Sequence, residues 1–301
     1  MNKVVIVNSG KSTIIKEYGV DALETLRSVS LPIVLLRSIL LRISQKSTRW
    51  FLKHDWLDSL MPYDTIILFD CLDTITMTQK IDNKYTSKRK ILFFWNPILS
   101  VDINKIPSSF EVWTSDYGDA KQYGFKYTGQ FIYDMYFNNL DFAPKYDVYF
   151  VGINKGRFSH LLKMKSNMVN SGLDVFYRLV SPMKSKFSKK YSNPIPYRQV
   201  IEESARSVMM LEYNQQGQKG MTLRSVESLM LQKKLITNNP DIRKMDFYTP
   251  NNIFIFSNDD ITGIEQFLNK PFVPYNKETV TRYYFSSWLE RIINGEELVD
   301  R

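Results

Sequence analysis

Residues Ser207–Asn239 read SVMMLEYNQQGQKGMTLRSVESLMLQKKLITNN, and the fold is decided by how that stretch changes period. Val208–Tyr213 is apolar and too short for an ordinary helix, so it is expected to be a strand. A polar loop follows with Gln215, Gln216, Gly217, Gln218 and Gly220. From about Thr222 to Leu231, Leu223, Val226 and Met230 share one helical face, which leaves Arg224 and Glu227 free to point elsewhere. Lys234–Thr237 reads as a second strand. A glycine loop opening a helix offers unpaired N–H groups and a positive dipole end to an anion. A glutamate further along that helix can accept from ribose hydroxyls, so the unit suits a nucleotide diphosphate. The same strand–loop–helix–strand pattern also serves as plain α/β scaffold.

Working outward, Tyr146–Gly152 (YDVYFVG) opens a second series of alternating elements. The loop Asn154-Lys155-Gly156-Arg157 leads into a helix over Phe158–Ser171. Gly152 followed by Lys155 and Arg157 repeats the phosphate-facing arrangement, with either cation able to counter charge on a departing diphosphate. The competing reading is a surface loop that is basic by composition. Leu173–Val180, a helix over Tyr197–Arg206, a strand at Asn252–Ser257, a helix over Asp259–Asn269 and a terminal helix over Lys277–Ile293 complete this half.

Upstream, Lys3–Asn8, Asp64–Asp70, Lys90–Asn96 and Glu111–Asp116 suggest a four-stranded sheet. Ser9 and Gly10 follow the first strand and, at the carboxyl end of an open α/β sheet, face its working crevice. The Gly-Lys-Ser there is no ATP loop, because Val5 stands where the motif needs its earlier glycine. Asp70 and Asp116 end strands at positions useful to a general base, Asp70 the first choice and Asp116 the second. Aspartates at strand ends more commonly cap turns. DFAPKY, from Asp141 to Tyr146, turns loop-like and marks a boundary between an amino-terminal domain over 1–142 and a second domain over 143–272, followed by a terminal segment over 273–301.

The chain has 301 residues, 44% hydrophobic and 24% charged, with a formal net charge of +9. Such a composition buries a proper core, and the positive balance favours anionic partners. No zinc-finger spacing, RNA-recognition aromatic motif or basic heptad region is present, so nucleic acid is not an expected partner. The one cysteine, Cys71, excludes an intrachain disulfide and fits a reducing cytosol. The two histidines, His54 and His160, lack metal-site spacing. A helical pattern over about Leu23–Trp50 carries Arg37, Arg42, Lys46 and Arg49. That basic face reads either as a membrane-docking surface or as a solvated face over a core stripe.

The run QKGMTLRSVESLMLQKKLITNN, together with FFWNP and SDYGDAKQYGFKY, resembles segments of GT-B glycosyltransferases that assemble bacterial capsule, exopolysaccharide or O-antigen chains. The resemblance implies an α/β protein with two Rossmann-like domains whose parallel sheets face across a cleft, the first on the acceptor side, residues 143–272 binding the nucleotide sugar, and the helix of 273–301 packing back toward the first domain. It implies transfer of a sugar from a nucleotide-diphosphate donor to a saccharide acceptor, lipid-linked or oligosaccharide, on the cytoplasmic side of the membrane. Gly220 and Thr222 would then lie by the phosphates, Arg224 near the pocket and Glu227 on the ribose, with Gln218 also among the donor-binding residues. No cofactor is expected beyond the nucleotide sugar as co-substrate, and no metal, since the sequence has no Asp-x-Asp. Many retaining members carry a glutamate eight positions before the ribose one, and Lys219 stands there, which favours inversion. A non-catalytic GT-B-like subunit and a nucleotide-sugar epimerase are the alternatives.

Overall fold

The computed structural model describes residues 2–8, 10–25, 52–71, 73–98, 101–180, 191–215 and 220–298. Contacts divide the chain into two compact units, Met1–Thr128 and Gly129–Arg301. The expected basic helix, with Arg37, Arg42, Lys46 and Arg49, lies outside the described residues, as do Ser9 and Gln218.

The first unit is built on six parallel strands: β1 (Val4–Val7), β2 (Asp21–Leu23), β3 (Thr65–Phe69), β4 (Arg89–Phe94), β5 (Phe110–Thr114) and β6 (Lys126–Tyr127). Their order is β2-β1-β3-β4-β5-β6. The four expected strands are all present. The two extra ones, three and two residues long, sit at the sheet edges, where few apolar positions are needed and periodicity carries little signal. Asp21–Leu23 is thus strand at the point where the sequence suggested a helix beginning. β3 is buried along its whole length, which is why TIILF reads as an unbroken apolar run rather than an alternating one.

The second unit holds β7 (Tyr146–Ile153), β8 (Val175–Val180), β9 (Ser207–Glu212), β10 (Lys234–Thr237) and β11 (Ile253–Ile255). All are parallel, in the order β11-β10-β9-β7-β8. Val148 and Phe150 alternate with Tyr149 along β7. The first two join Met209, Leu211, Leu161, Met164 and Met168 in one core cluster, and Tyr149 is buried outside it. Each fully buried side chain of this size contributes about 1.5–3 kcal/mol.

Each unit uses a buried lysine at the start of a central strand to close a helix end. Lys90 Nζ donates to the Tyr85 carbonyl at 3.0 Å and meets Asp82 at 2.6 Å. Lys234 Nζ donates to the carbonyls of Phe267, Leu268 and Lys270, each at 2.7 Å. A cation on the last carbonyls of a helix fills acceptor capacity that the helix itself leaves open.

Two helices differ from expectation. The stretch expected to form a helix from Asp259 does so only over Ile264–Asn269, because Asn258 and Asp259 are held at φ 53° and 59°. The terminal helix is broken into Lys277–Thr281 and Phe285–Asn294. Between them the chain pairs with residue 132: Ile132 N–H donates to the Tyr283 carbonyl at 2.9 Å, and Phe285 N–H donates to the Ile132 carbonyl at 2.9 Å. Trp288 then packs its ring 4.3 Å from that of Phe131. Residues 129–142 therefore fold with the second unit, and the division falls at Thr128/Gly129, ahead of the composition shift at Asp141–Tyr146.

Candidate functional site

In both sheets the first strand has neighbours that continue in opposite directions: β1 lies between β2 and β3, and β7 between β8 and β9. Such a reversal opens a crevice beyond the carboxyl ends of the two central strands.

In the second unit the crevice-side residues come from the loops after β7 and β9. Past Ile153, Asn154 Oδ1 accepts the Gly156 N–H at 2.6 Å, and Lys155 and Gly156 adopt φ 47° and 84°. That turn delivers Arg157 to the start of the Phe158–Asn170 helix. Its Nη2 lies 3.3 Å from the Ile153 carbonyl. A Cβ at Gly152 would meet the Phe150 ring at 3.3 Å and Arg157 Nη2 at 3.9 Å, so glycine there relieves a tight approach to the Phe150 ring. From the other side, Arg224 donates through Nη2 to the Val151 carbonyl at 3.1 Å. Two guanidiniums thus rest on carbonyls two residues apart at one strand end. Partial burial lowers the affinity of Arg157 for its proton, and Glu212 opposes that shift. Lys155 is shifted the same way by desolvation and then by the Arg157 charge.

Glu212, at the end of β9, is 3% exposed. It gathers three hydroxyls: Ser225 Oγ donates at 2.6 Å, Thr237 Oγ1 at 2.5 Å, and Thr222 Oγ1 makes a short bond to the same carboxylate. Thr222 in turn caps the Leu223–Met230 helix, accepting the Arg224 N–H at 3.0 Å. One carboxylate therefore ties together a strand end, the next strand and the helix that carries Arg224.

Glu227 does not face outward as the sequence suggested. It is 3% exposed, accepts from the Tyr197 hydroxyl at Oε1 (2.9 Å) and sits 2.9 Å from Arg224 Nη1 through Oε2. The second contact is a charge contact without hydrogen-bond alignment. Burial raises its proton affinity, with Arg224 and the Tyr197 hydroxyl pulling the other way. The physical reason is the helix: at three residues' spacing Arg224 and Glu227 share a face, and that face packs under the Tyr197–Ala205 helix. Gly220 is buried without a positive φ. Its carbonyl is approached by the amides of Asn214 at 3.5 Å and Asn239 at 3.4 Å.

In the first unit, Asp70 lies just beyond β3, its Oδ1 accepting the Trp95 N–H at 2.8 Å. Burial lifts its proton affinity above the usual carboxylate value, against hydrogen bonds from Trp95 and Asn96. Asp116 caps the Tyr117–Tyr123 helix through the Asp119 N–H at 3.1 Å and is 5% exposed. Gly10 adopts φ 69°, and its N–H donates to Glu24 Oε1 at 2.9 Å.

The structure therefore brings Gly152, Lys155, Arg157, Thr222 and Arg224 to one strand-end region, with Gly220 and Glu227 beneath it. Sequence reading missed Glu212, whose signal was a lone acid closing the apolar run VMML. It missed the role of Tyr197 altogether, since nothing local links it to a partner thirty positions on. Among the described residues, no group of three or more His, Cys, Asp or Glu side chains is placed to hold a metal ion, and no helix is long and apolar enough to cross a membrane.

No protein-family model and no curated protein sequence matches the chain. Its likeness is to solved structures. Sucrose-phosphate synthase from Thermosynechococcus elongatus superposes with TM-score 0.62 at 8% identity over 98% of each chain. A glycosyltransferase from Rickettsia africae does so with TM-score 0.55 at 11% identity, covering 97% of this chain and 89% of the other. UDP-GlcNAc 2-epimerase from Methanocaldococcus jannaschii, in complex with UDP-GlcNAc and UDP, gives TM-score 0.51 at 12% identity over 98% and 99%. Two parallel α/β sheets, of six and five strands, are the GT-B architecture, and the chain has that fold.

Proposed function

We propose that this protein is a glycosyltransferase that moves a sugar from a nucleotide-diphosphate donor to a saccharide acceptor. The observation that supports it best is the convergence of Arg157 and Arg224, with Lys155 beside them, at the β7–β9 reversal of a GT-B fold. Guanidiniums pair with phosphate oxygens through parallel hydrogen bonds. Prepositioned on carbonyls, they stabilise the charge that grows on the diphosphate as the glycosidic bond breaks. In this reading no metal is required, and Glu227 serves by holding Arg224 rather than by touching ribose. Asp70, whose burial strengthens it as a base, takes the proton of the acceptor hydroxyl in an inverting transfer. A lipid-linked acceptor, a place in bacterial surface-polysaccharide assembly and a cytoplasmic position at the membrane face rest on the sequence resemblance alone.

Thermal-shift titration with UDP, GDP and CMP tests the donor site: stabilisation by a nucleoside diphosphate is expected, and no shift with any of them removes the reading. The likeness to the M. jannaschii epimerase keeps a second reading, isomerisation of the nucleotide sugar. Conversion of a nucleotide sugar with no acceptor present would favour it over transfer.

A further inference from the structure

The carboxyl ends of β9, β10 and β11 enclose a second feature, a cleft of about 450 Å³. Pro240, Ile255 and Phe256 supply its apolar surface, while Asn238, Ser257 and Asn258 bring polar groups. Tyr213 also lines it, and its hydroxyl donates to Asp259 at 2.5 Å. An apolar wall with a few convergent amides and hydroxyls is the lining that takes a sugar ring.

Three observations make this cleft more than a surface irregularity. Asn258 and Asp259 are consecutive non-glycine residues at φ 53° and 59°, a left-handed conformation that persists where the surroundings hold it. The imposing group is Asp259 itself, buried and held by Tyr213, by His160 Nδ1 at 2.9 Å, and through its carbonyl by Asn167 at 3.1 Å. Those bonds fix the Ser257–Asn258 rim in place. Asn238 is fixed too: its Oδ1 accepts the Asn214 N–H at 2.6 Å and its amide donates to the Asn214 carbonyl at 3.2 Å.

The third observation is charge. Among the described residues lining the cleft, Arg243 is the one charged side chain, and it makes no ion pair or hydrogen bond with another described residue. Its neighbour Lys244, by contrast, is paired with Asp241 at 2.6 Å. Nearby Asp260 is occupied by Thr262, at 2.9 Å and 2.7 Å. An exposed, unneutralised guanidinium on a preformed polar cleft is matched by a carboxylate, which it can bind through two parallel bonds. Tyr213, which lines the cleft, directly follows Glu212, the buried carboxylate that ties β9 to the helix carrying Arg224.

We infer that the cleft at the ends of β9, β10 and β11 holds the sugar of the nucleotide-linked ligand, and that Arg243 selects a sugar carrying a carboxylate, of the uronic-acid class. This rests on the nucleotide-sugar reading proposed above. Calorimetric titration of the full chain with UDP, UDP-glucose and UDP-glucuronate, and with GDP, GDP-mannose and GDP-mannuronate, tests it. With one of the two nucleotides, the acidic sugar should bind roughly tenfold tighter than its neutral counterpart. Arg243→Ala should abolish that preference, and Arg243→Glu should reverse it; the bare nucleoside diphosphate, which does not extend into the cleft, reports whether each variant remains folded. Equal affinity for acidic and neutral sugars, or a preference that survives Arg243→Ala, overturns the inference while nucleotide binding keeps the glycosyltransferase reading intact. Binding of neither nucleotide overturns both.

Discussion

The two sheets reverse direction in the same way but furnish their strand ends with opposite chemistry. At the β1–β3 reversal the chain supplies Asn8, Gly10 and Asp70: Asn8 Oδ1 accepts from Thr25 N–H and Oγ1 at 2.9 and 2.8 Å, and Asp70 accepts from Trp95. At the β7–β9 reversal it supplies Arg157 and Arg224, which donate to strand-end carbonyls, with Glu212 and Glu227 buried behind them. One end presents acceptors and a carboxylate of raised proton affinity, and the other presents fixed positive charge. A shared topology thus positions a site without deciding what it does; the residues placed there decide that.

If the difference is functional, the first unit's carboxylate and the second unit's cations should fail in different ways. Asp70→Asn should lower transfer by about a hundredfold to ten-thousandfold with nucleotide affinity unchanged; a parallel loss of binding, measured calorimetrically, would break the division. Trp288→Ala, which empties the stack against Phe131 and Phe285, should destabilise the second unit by about 3–5 kcal/mol in denaturant melts. A cost below about 1 kcal/mol would show that residues 129–142 do not depend on that packing.

Arg157→Ala and Arg224→Ala should each weaken nucleoside-diphosphate binding by about 1.5–3 kcal/mol, the worth of a charged hydrogen bond. Intact affinity in both would move the diphosphate elsewhere. The smallest effect concerns Glu227. Burial raises its pKa above the ordinary 4.5, so the folded protein holds that proton more tightly than the unfolded chain does. Its stabilising contribution is complete below the unfolded value and is lost as pH rises through the folded one. Glu227→Gln, which mimics the protonated acid and still accepts from Tyr197, should melt near wild type in acid and gain on it as pH rises above 4.5. A difference that is flat with pH would mean that Glu227 is not shifted in the folded protein.

The central strands and most helices were legible because their apolar periods are strong: TIILF and VMML are buried strands of a parallel sheet and read as such. Edge strands such as Lys126–Tyr127 were not legible, since two residues carry no period. The expected helix from Asp259 did not form there because a tertiary network holds Asp259 left-handed, and no local residue announces that network. In the candidate site, the strand-end placement of Lys155 and Arg157 was legible from a basic glycine loop after a strand. Arg224 and Glu227 were both expected to leave the helix's apolar face, and Glu227 is instead buried against Tyr197, because helical spacing shows which residues share a face and not what covers that face.

What the sequence determined by itself is the alternation of short apolar strands with amphipathic helices, which leaves a parallel α/β protein as the economical way to bury both sheet faces. What only the tertiary structure decided is which polar groups meet: Glu212 with three hydroxyls, Glu227 with Tyr197 and Arg224, and the Arg243 side chain with no ion-pair partner among the described residues. Hydrophobic patterning is a local property summed along the chain, whereas the pairing of buried charges depends on distances between residues far apart in sequence.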